Sequence, residues 1–277
     1  MSGLRMIAVA GLALGLLGHG PGPATAETPT ESALMTVIGD ANQLHRDLTE
    51  AVADYTCTLV KRERVKGQLL GHEYMELKLR HRQVRDGQMV VPFSVYLRFL
   101  SPDDVQGREV IFVEGRNDGK IIARRGGRRF AYVTTAVDPL SDLAMERNRY
   151  PITHVGIKNL IDELLVVGEE ELQNPPEELE VKQIDGAKVA GRTCRVIQFT
   201  HPVQREQYRY HIARIFVDQE LNIPIRYAAY DFADEEGGLP KLLEEYTYVN
   251  LKLNVGLTDW DFDHRNEAYQ FLKEFQP

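Results

Sequence analysis

The chain has 277 residues, 43% of them hydrophobic and 27% charged, with two cysteines and a formal charge of −8. This composition excludes disordered, collagen-like and disulfide-scaffold chains, and the length allows a core to form without metal or disulfide staples. The acidic balance argues against nucleic acid as a partner, because such binding needs a basic face to displace counterions from phosphates.

Residues 1–26 read as a cleavable export signal. Arg5 gives a positive start, Met6 to Leu17 is an uncharged apolar run, and Ala24-Thr25-Ala26 supplies small residues at the cleavage point. The apolar run is about 12 residues, short of the roughly 20 that span a bilayer, and Gly18 to Pro23 interrupts it. The expected product is a periplasmic or secreted protein that starts at Glu27 and spans no membrane. The nearest cysteine is Cys57, too far on for lipid attachment at the new terminus.

Glu31 to Val52 then spaces Leu34, Val37, Ile38, Ala41, Leu44, Leu48 and Val52 three and four apart, the stripe of an amphipathic helix. The period next falls to two. Met75, Leu77 and Leu79 alternate with charged residues, and Phe93, Val95, Leu97 and Phe99 alternate with Ser94, Tyr96 and Arg98, which predicts strands with one apolar and one wet face. Five strand-like runs, at 55–66, 70–84, 92–100, 108–114 and 119–134, are separated by turn residues, as in an antiparallel meander. A helical interlude follows at Pro139–Arg147 and His154–Leu172, ended by Pro175-Pro176. Strand-like runs return at 179–184, 192–201, 208–217, 223–232 and 242–255, where Val249, Leu251, Leu253 and Val255 again alternate with polar residues.

The pattern has no internal repeat and no low-complexity linker. It reads as α+β, mainly β: one large curved antiparallel sheet with helices covering its concave apolar face. That face is expected to carry Met75, Leu77, Leu79, Phe93, Val95, Leu97 and Phe99 together with Val249, Leu251 and Leu253, lining a cavity or packing solid. The segment Pro139 to Arg149 is too short for a stable isolated helix. It reads as a lid, with Leu140, Leu143 and Met145 on the inner side and Asp142, Glu146, Arg147 and Arg149 on the outer.

Catalytic and metal motifs fail on spacing. His72-Glu73 has no second histidine at the required place, no Gly-x-Ser-x-Gly elbow occurs, and neither cysteine has a hydrolase signature. Asp259-Trp260-Asp261-Phe262-Asp263 opens like a calcium loop, but His264 and Gln270 stand where Gly and Glu are needed, so it reads as turn and cap chemistry before a short helix at 266–275. His201 and His211 read as structural histidines. No catalytic residue, metal ligand or cofactor is assigned. Cys57 and Cys194 have two readings, a disulfide formed on export or two buried thiols. The basic residues Arg80, Arg82 and Arg85, and Arg124-Arg125-Gly126-Gly127-Arg128-Arg129 with its central turn, read as solvated turns or as a landing site for anionic envelope polymers.

Four segments carry a resemblance: Tyr55-Thr56-Cys57-Thr58-Leu59-Val60-Lys61-Arg62-Glu63-Arg64, Tyr96-Leu97-Arg98-Phe99-Leu100-Ser101-Pro102, the run Gly107 to Gly115, and Asn250 to Asp259. Together they resemble an uncharacterised family of exported bacterial proteins known as a domain of unknown function, over most of the chain after residue 26. More distantly, the order of elements, with Arg98 and Pro102 in an R-F-x-x-P-like segment, is similar to the outer-membrane lipoprotein-sorting and lipoprotein-carrier proteins. That resemblance implies an unclosed β-barrel over residues 27–277, with a helical lid over an apolar cavity that receives acyl chains. The function it implies is non-enzymatic binding of a lipid, a lipoprotein acyl chain or another apolar ligand. The alternative is a structural module of the cell envelope with a self-filled core, whose Tyr208, Tyr210, Tyr227, Tyr230, Tyr246 and Tyr248 meet an envelope protein. N-terminal sequencing of the exported protein is expected to give Glu27 as the first residue; a start at Met1 in a membrane fraction would exclude the cleavage.

Overall fold

The computed structural model describes residues 29–127 and 133–277. The export signal and the Arg128-Arg129 pair lie outside the described residues. Helix α1 (Pro29–Ala51) follows the apolar spacing and buries Leu34, Val37 and Leu48. The first half of the sheet is β1 (Asp54–Val65), β2 (Gln68–Leu69), β3 (Glu73–Arg80), β6 (Ser94–Ser101), β7 (Glu109–Val113), β8 (Ile121–Arg124) and β9 (Thr134–Val137), with β4 (Gln83–Arg85) and β5 (Gln88–Val91) as a separate hairpin. A crossover holding α2 (Asp142–Met145) and α3 (Ile157–Glu171) leads to β10 (Glu180–Val189), β11 (Arg192–Thr200), β12 (Ile212–Asp218), β13 (Ile223–Asp231) and β14 (Lys241–Leu253).

Among the described residues, twelve strands form one antiparallel sheet in the order β10-β11-β12-β13-β14-β1-β3-β6-β7-β8-β9, with β2 beside β1. The outermost strands, β9 and β10, do not pair with each other, so this mainly β fold is an unclosed barrel. The first and last strands meet in the middle. The chain walks outward from β1 to one edge, and its return to β10 at the far edge carries α2 and α3 back across the sheet. Helix α3 packs on α1, and both cover the concave side. At the start of α3, Gly156 has φ +122°, and a Cβ there would meet a Leu79 methyl at 2.6 Å; its neighbour Ile157 donates its amide to the Tyr55 hydroxyl at 3.0 Å.

Register shifts bend the sheet. Between Thr56 and Thr58 of β1, β14 holds an extra residue near Asn250, which has φ 56°. The bulge reverses the facing pattern of β14. Leu251 and Leu253 pack on the concave core, but beyond the bulge Tyr248 and Tyr246 take that side and Val249 joins none of the buried clusters. The expected placement of Val249 is thereby corrected.

Other expectations change for tertiary reasons. Cys57 and Cys194 are buried free thiols. They sit on β1 and β11 with three strands between them, at a strand spacing of about 4.8 Å, whereas a disulfide needs Cα atoms within about 7 Å. Residues 266–275 form turns rather than a helix: the Gln270 amide, which a helix would give to the Asn266 carbonyl, donates to Glu109 at 2.8 Å, and the Lys273 ammonium donates to the carbonyls of Asn266 and Tyr269. This terminal segment lays Phe262, Tyr269 and Phe271 over Tyr96, Ile111 and Ile122 on the convex face, so Tyr96, expected on a wet face, is buried. Gly126 and Gly127 do not form a projecting two-residue turn: the Gly127 amide donates to the Gln106 carbonyl at 2.8 Å, and a Cβ on Gly126 would strike the 105–108 backbone.

At the end of β3, the buried His81 ring lies 5.8 Å from that of Tyr55. Burial, with the charge of Lys158 nearby and against the pull of Asp54, lowers its pKa from 6.5 to about 4. The unfolded chain takes up this proton first, so the contribution of His81 to stability is full above the unfolded value. As pH falls from 6.5 to about 4, about 3 kcal/mol is lost. His81→Phe is expected to flatten this part of the stability–pH curve in urea titrations; parallel curves for both proteins would exclude the assignment.

Candidate functional site

Strand β1 points Tyr55, Cys57, Leu59, Lys61 and Glu63 to its buried side in strict alternation. The face is apolar at one end and charged at the other. Strand β3 runs antiparallel and follows the same phase, so Leu59 sits beside Met75 and Lys61 beside Glu73; β14 places Tyr246 beside Lys61 and Glu244 beside Glu63. Above this division, between the sheet and the crossover, lies a cavity of 780 Å³. Its apolar wall includes Leu59, Met75, Leu97, Phe99 and Val110.

The charged end holds the crossover in place. Lys61 Nζ lies 3.1 Å from Glu73 and 3.4 Å from Glu63, and donates to the Asn148 side chain. From the crossover, Arg147 donates to Glu73 at 3.1 Å and to Asp104 at 3.2 Å, and the Arg149 amide donates to Glu63 at 3.1 Å. The Arg149 side chain forms a 2.6 Å ion pair with Glu244, which also accepts from the Tyr150 hydroxyl at 3.2 Å. Tyr246 donates to the other oxygen of Glu63 at 2.5 Å. Burial raises the Glu244 carboxyl above its ordinary value despite Arg149. For Arg149, burial works to lower the guanidinium, and Glu244 and Tyr150 outweigh it and raise it.

Of the residues expected on the concave face, Met75, Leu97 and Phe99 line the cavity. Leu77, Leu79, Phe93, Val95, Leu251 and Leu253 belong instead to the solid core that also holds Leu48, Val52, Ile157 and Ile161 from the helices. In the lid, only Leu143 of the three inner residues lines the cavity, and it is 67% exposed; Leu140 is 73% exposed and Met145 is half-buried. Arg147 and Arg149, read as outer residues, turn inward to carboxylates of the sheet, Arg147 pairing with the buried Glu73 and with Asp104 and Arg149 with the buried Glu244. Tyr210, Tyr227, Tyr246 and Tyr248 likewise line the cavity rather than an outer face. The phase of β1, with Lys61 and Glu63 in line with Leu59, is the sequence signal that marks this charged end.

The remaining candidates are tied to the protein itself. His201 is buried with its Nδ1 3.0 Å from the Glu178 carbonyl and its Nε2 3.0 Å from Glu171. Asp259 accepts from Arg80 at 2.7 Å and Arg116 at 2.8 Å, Asp261 pairs with Lys78 and caps the turn at Thr258, and Asp263 pairs with Arg265. Arg82 is an exposed partner of Glu114 at 3.4 Å and Arg85 is exposed in the β4–β5 hairpin, as solvated turn residues would be, whereas Arg80 and Arg124 are buried beside Asp259 and Glu109. Arg98 is a half-exposed partner of Glu76 at 3.6 Å.

Mainly antiparallel and unclosed, with a cavity between sheet and crossover, the chain belongs to a family of proteins of unknown function, DUF1571, whose model matches residues 52–271. No curated protein sequence matches it. Among solved structures it is similar to a DUF1329 family protein from Desulfovibrio piger, at 16% identity over 86% of this chain and 98% of that one, with a TM-score of 0.37. It is similar also to a domain described as outer membrane lipoprotein-sorting, from Vibrio parahaemolyticus, at 12% identity over 85% and 98% of the two chains, with a TM-score of 0.37. A LolA superfamily protein from Nitrosomonas europaea matches at 9% identity over 83% and 97%, with a TM-score of 0.32.

The contrast between solid core and cavity wall is measurable. Leu79→Ala, in the solid core, is expected to cost about 2–5 kcal/mol, and Leu97→Ala clearly less, because a side chain bordering a void has fewer packed neighbours to lose. Equal losses in denaturant melts would show that Leu97 is enclosed on all sides.

Proposed function

We propose that this protein is an exported, non-enzymatic carrier of the cell envelope that binds a lipid, an acyl chain or a similar apolar ligand. The observation that carries this reading is the 780 Å³ space between the sheet and the crossover. Small-molecule sites fall in the range of about 300–1,000 Å³ and are mostly apolar with a few placed polar groups. Water beside Leu59, Met75, Leu97, Phe99 and Val110 gains few hydrogen bonds, and an apolar chain fits that wall better.

The crossover suits a cover that moves. Helix α2 is four residues long with none buried, capped by Ser141, whose hydroxyl accepts from the Ala144 amide at 3.3 Å. Such a segment has little stability of its own and depends on the Arg147 and Arg149 contacts. Those ion pairs fix where it rests without making opening prohibitive, since each charge regains water when it leaves the interior. Among the described residues, no helix is long and apolar enough to cross a membrane.

Titration with a fluorescent long-chain fatty acid, followed by hydrogen exchange with and without the ligand, tests the proposal. Saturable binding with selective protection of residues 140–149 is expected. No binding together with unchanged exchange would favour the envelope-module alternative.

A further inference from the structure

Resting on the carrier reading, we infer that the ligand is an anionic amphiphile, and that its carboxylate or phosphate head docks inside the cavity on Arg108 while its chain lies along Phe99, Leu97 and Met75.

The inference comes from matching charges around the cavity. Lys61, Arg147 and Arg149 are met by Glu63, Glu73 and Glu244, with Asp104 as a further partner of Arg147. Arg209 reaches Glu170. Arg108 differs from all of these. It lines the cavity and is mostly buried, yet among the described residues its side chain makes no ion pair and no hydrogen bond; its contact is the face of the Phe99 ring, at 5.4 Å. A guanidinium carries five N–H donors and stays charged, and those of Arg108 open to the cavity with no protein acceptor among the described residues, so they are available to the oxygens of a ligand. Burial lowers its proton affinity below the ordinary value; Arg147 and Arg125 push the same way, and Glu73 and Asp104 oppose them.

Arg124, another arginine at this end of the wall, is already engaged: it is buried, lies 4.0 Å from the Glu109 carboxylate and donates to the Gly107 carbonyl. Arg124 pairs in register with Glu109, whose carboxylate holds the terminal segment on the convex side, so by alternation Arg108 is the arginine of this strand pair that faces the cavity. An entering carboxylate or phosphate can accept two parallel hydrogen bonds from a guanidinium fork. The apolar residues begin immediately beside it, since Phe99 on β6 is hydrogen-bonded through its amide to the Arg108 carbonyl at 2.9 Å. Head site and chain site are thus adjacent on one wall, whereas a neutral lipid would leave Arg108 as it is.

Calorimetric titration of the delipidated full-length mature chain with three ligands of one chain length, laurate, dodecyl phosphate and dodecanol, tests this. At least one of the anions is expected to bind roughly tenfold or more tightly than the alcohol, the scale of a hydrogen-bonded charge, and the tighter of the two identifies carboxylate or phosphate as the head. Arg108→Met should bring the anion-to-alcohol affinity ratio close to one, and Arg108→Lys should keep part of the preference. Equal binding of all three by the wild type, or a preference that survives Arg108→Met, overturns the inference and leaves the carrier reading intact. No binding of any of the three overturns both. The wild-type comparison stands by itself should a variant fail to fold.

Discussion

The pairing of β1 with β14 governs the rest of this molecule. It joins the first strand of the chain to the last, from Tyr55 opposite Leu253 to Glu63 opposite Glu244. The junction is fastened by side chains. Asn254 accepts from the Ala53 amide and donates to the Ala51 carbonyl, and Asp54 accepts from the amides of Gly256 and Leu257. Once the two ends meet in the centre of an antiparallel sheet, the middle of the chain has to travel from one edge to the other. It does so across the concave face, and the space left between it and the sheet is the cavity. The cavity follows from that connection as much as from any lining residue.

The second consequence is electrical. Because β1, β3 and β14 keep the same phase past Leu59, Met75 and Tyr246, the charges of Lys61, Glu63, Glu73 and Glu244 are carried into the interior at one end of the face. They are buried with partners, as buried charges must be, and the partners come from the crossover. Ion pairs of this kind offset desolvation more than they add stability. Their effect is positional: they specify where residues 147–150 rest, and they make the cavity apolar on one side and ionic on the other. Arg108 stands between the two regions and makes no ion pair among the described residues.

The convex face is closed by other means. The segment from Leu257 onward covers β6, β7 and β8 with aromatic rings, and Glu109 ties it down by accepting from the Tyr96 hydroxyl and the Gln270 amide. This explains the composition of β7, whose residues are all buried: one side faces the cavity and core, the other the terminal segment. It also gives physical roles to the Asn250–Asp259 motif, in which Asn250 sits in the bulge, Asn254 fastens the junction and Asp259 bridges Arg80 and Arg116.

Periodicity in the sequence determined a first helix over Glu31 to Val52, found at Pro29–Ala51, the run of antiparallel strands on either side of a helical interlude, and the apolar residues from Met75 to Phe99 as one face. These are local properties, since a period of 3.6 or 2 already says which side chains share a side. The tertiary structure decided what that side meets. Leu79 and Leu97 have the same pattern in the sequence, yet one is sealed beneath the helices and the other borders the cavity. Val249 is turned away by a one-residue bulge, Tyr96 is covered by a segment more than 150 residues further along the chain, and Arg147 is drawn inward by a carboxylate 74 residues before it. Alternation fixes direction along a strand, whereas burial, charge pairing and empty space depend on which distant segment arrives opposite, and only the folded chain sets that.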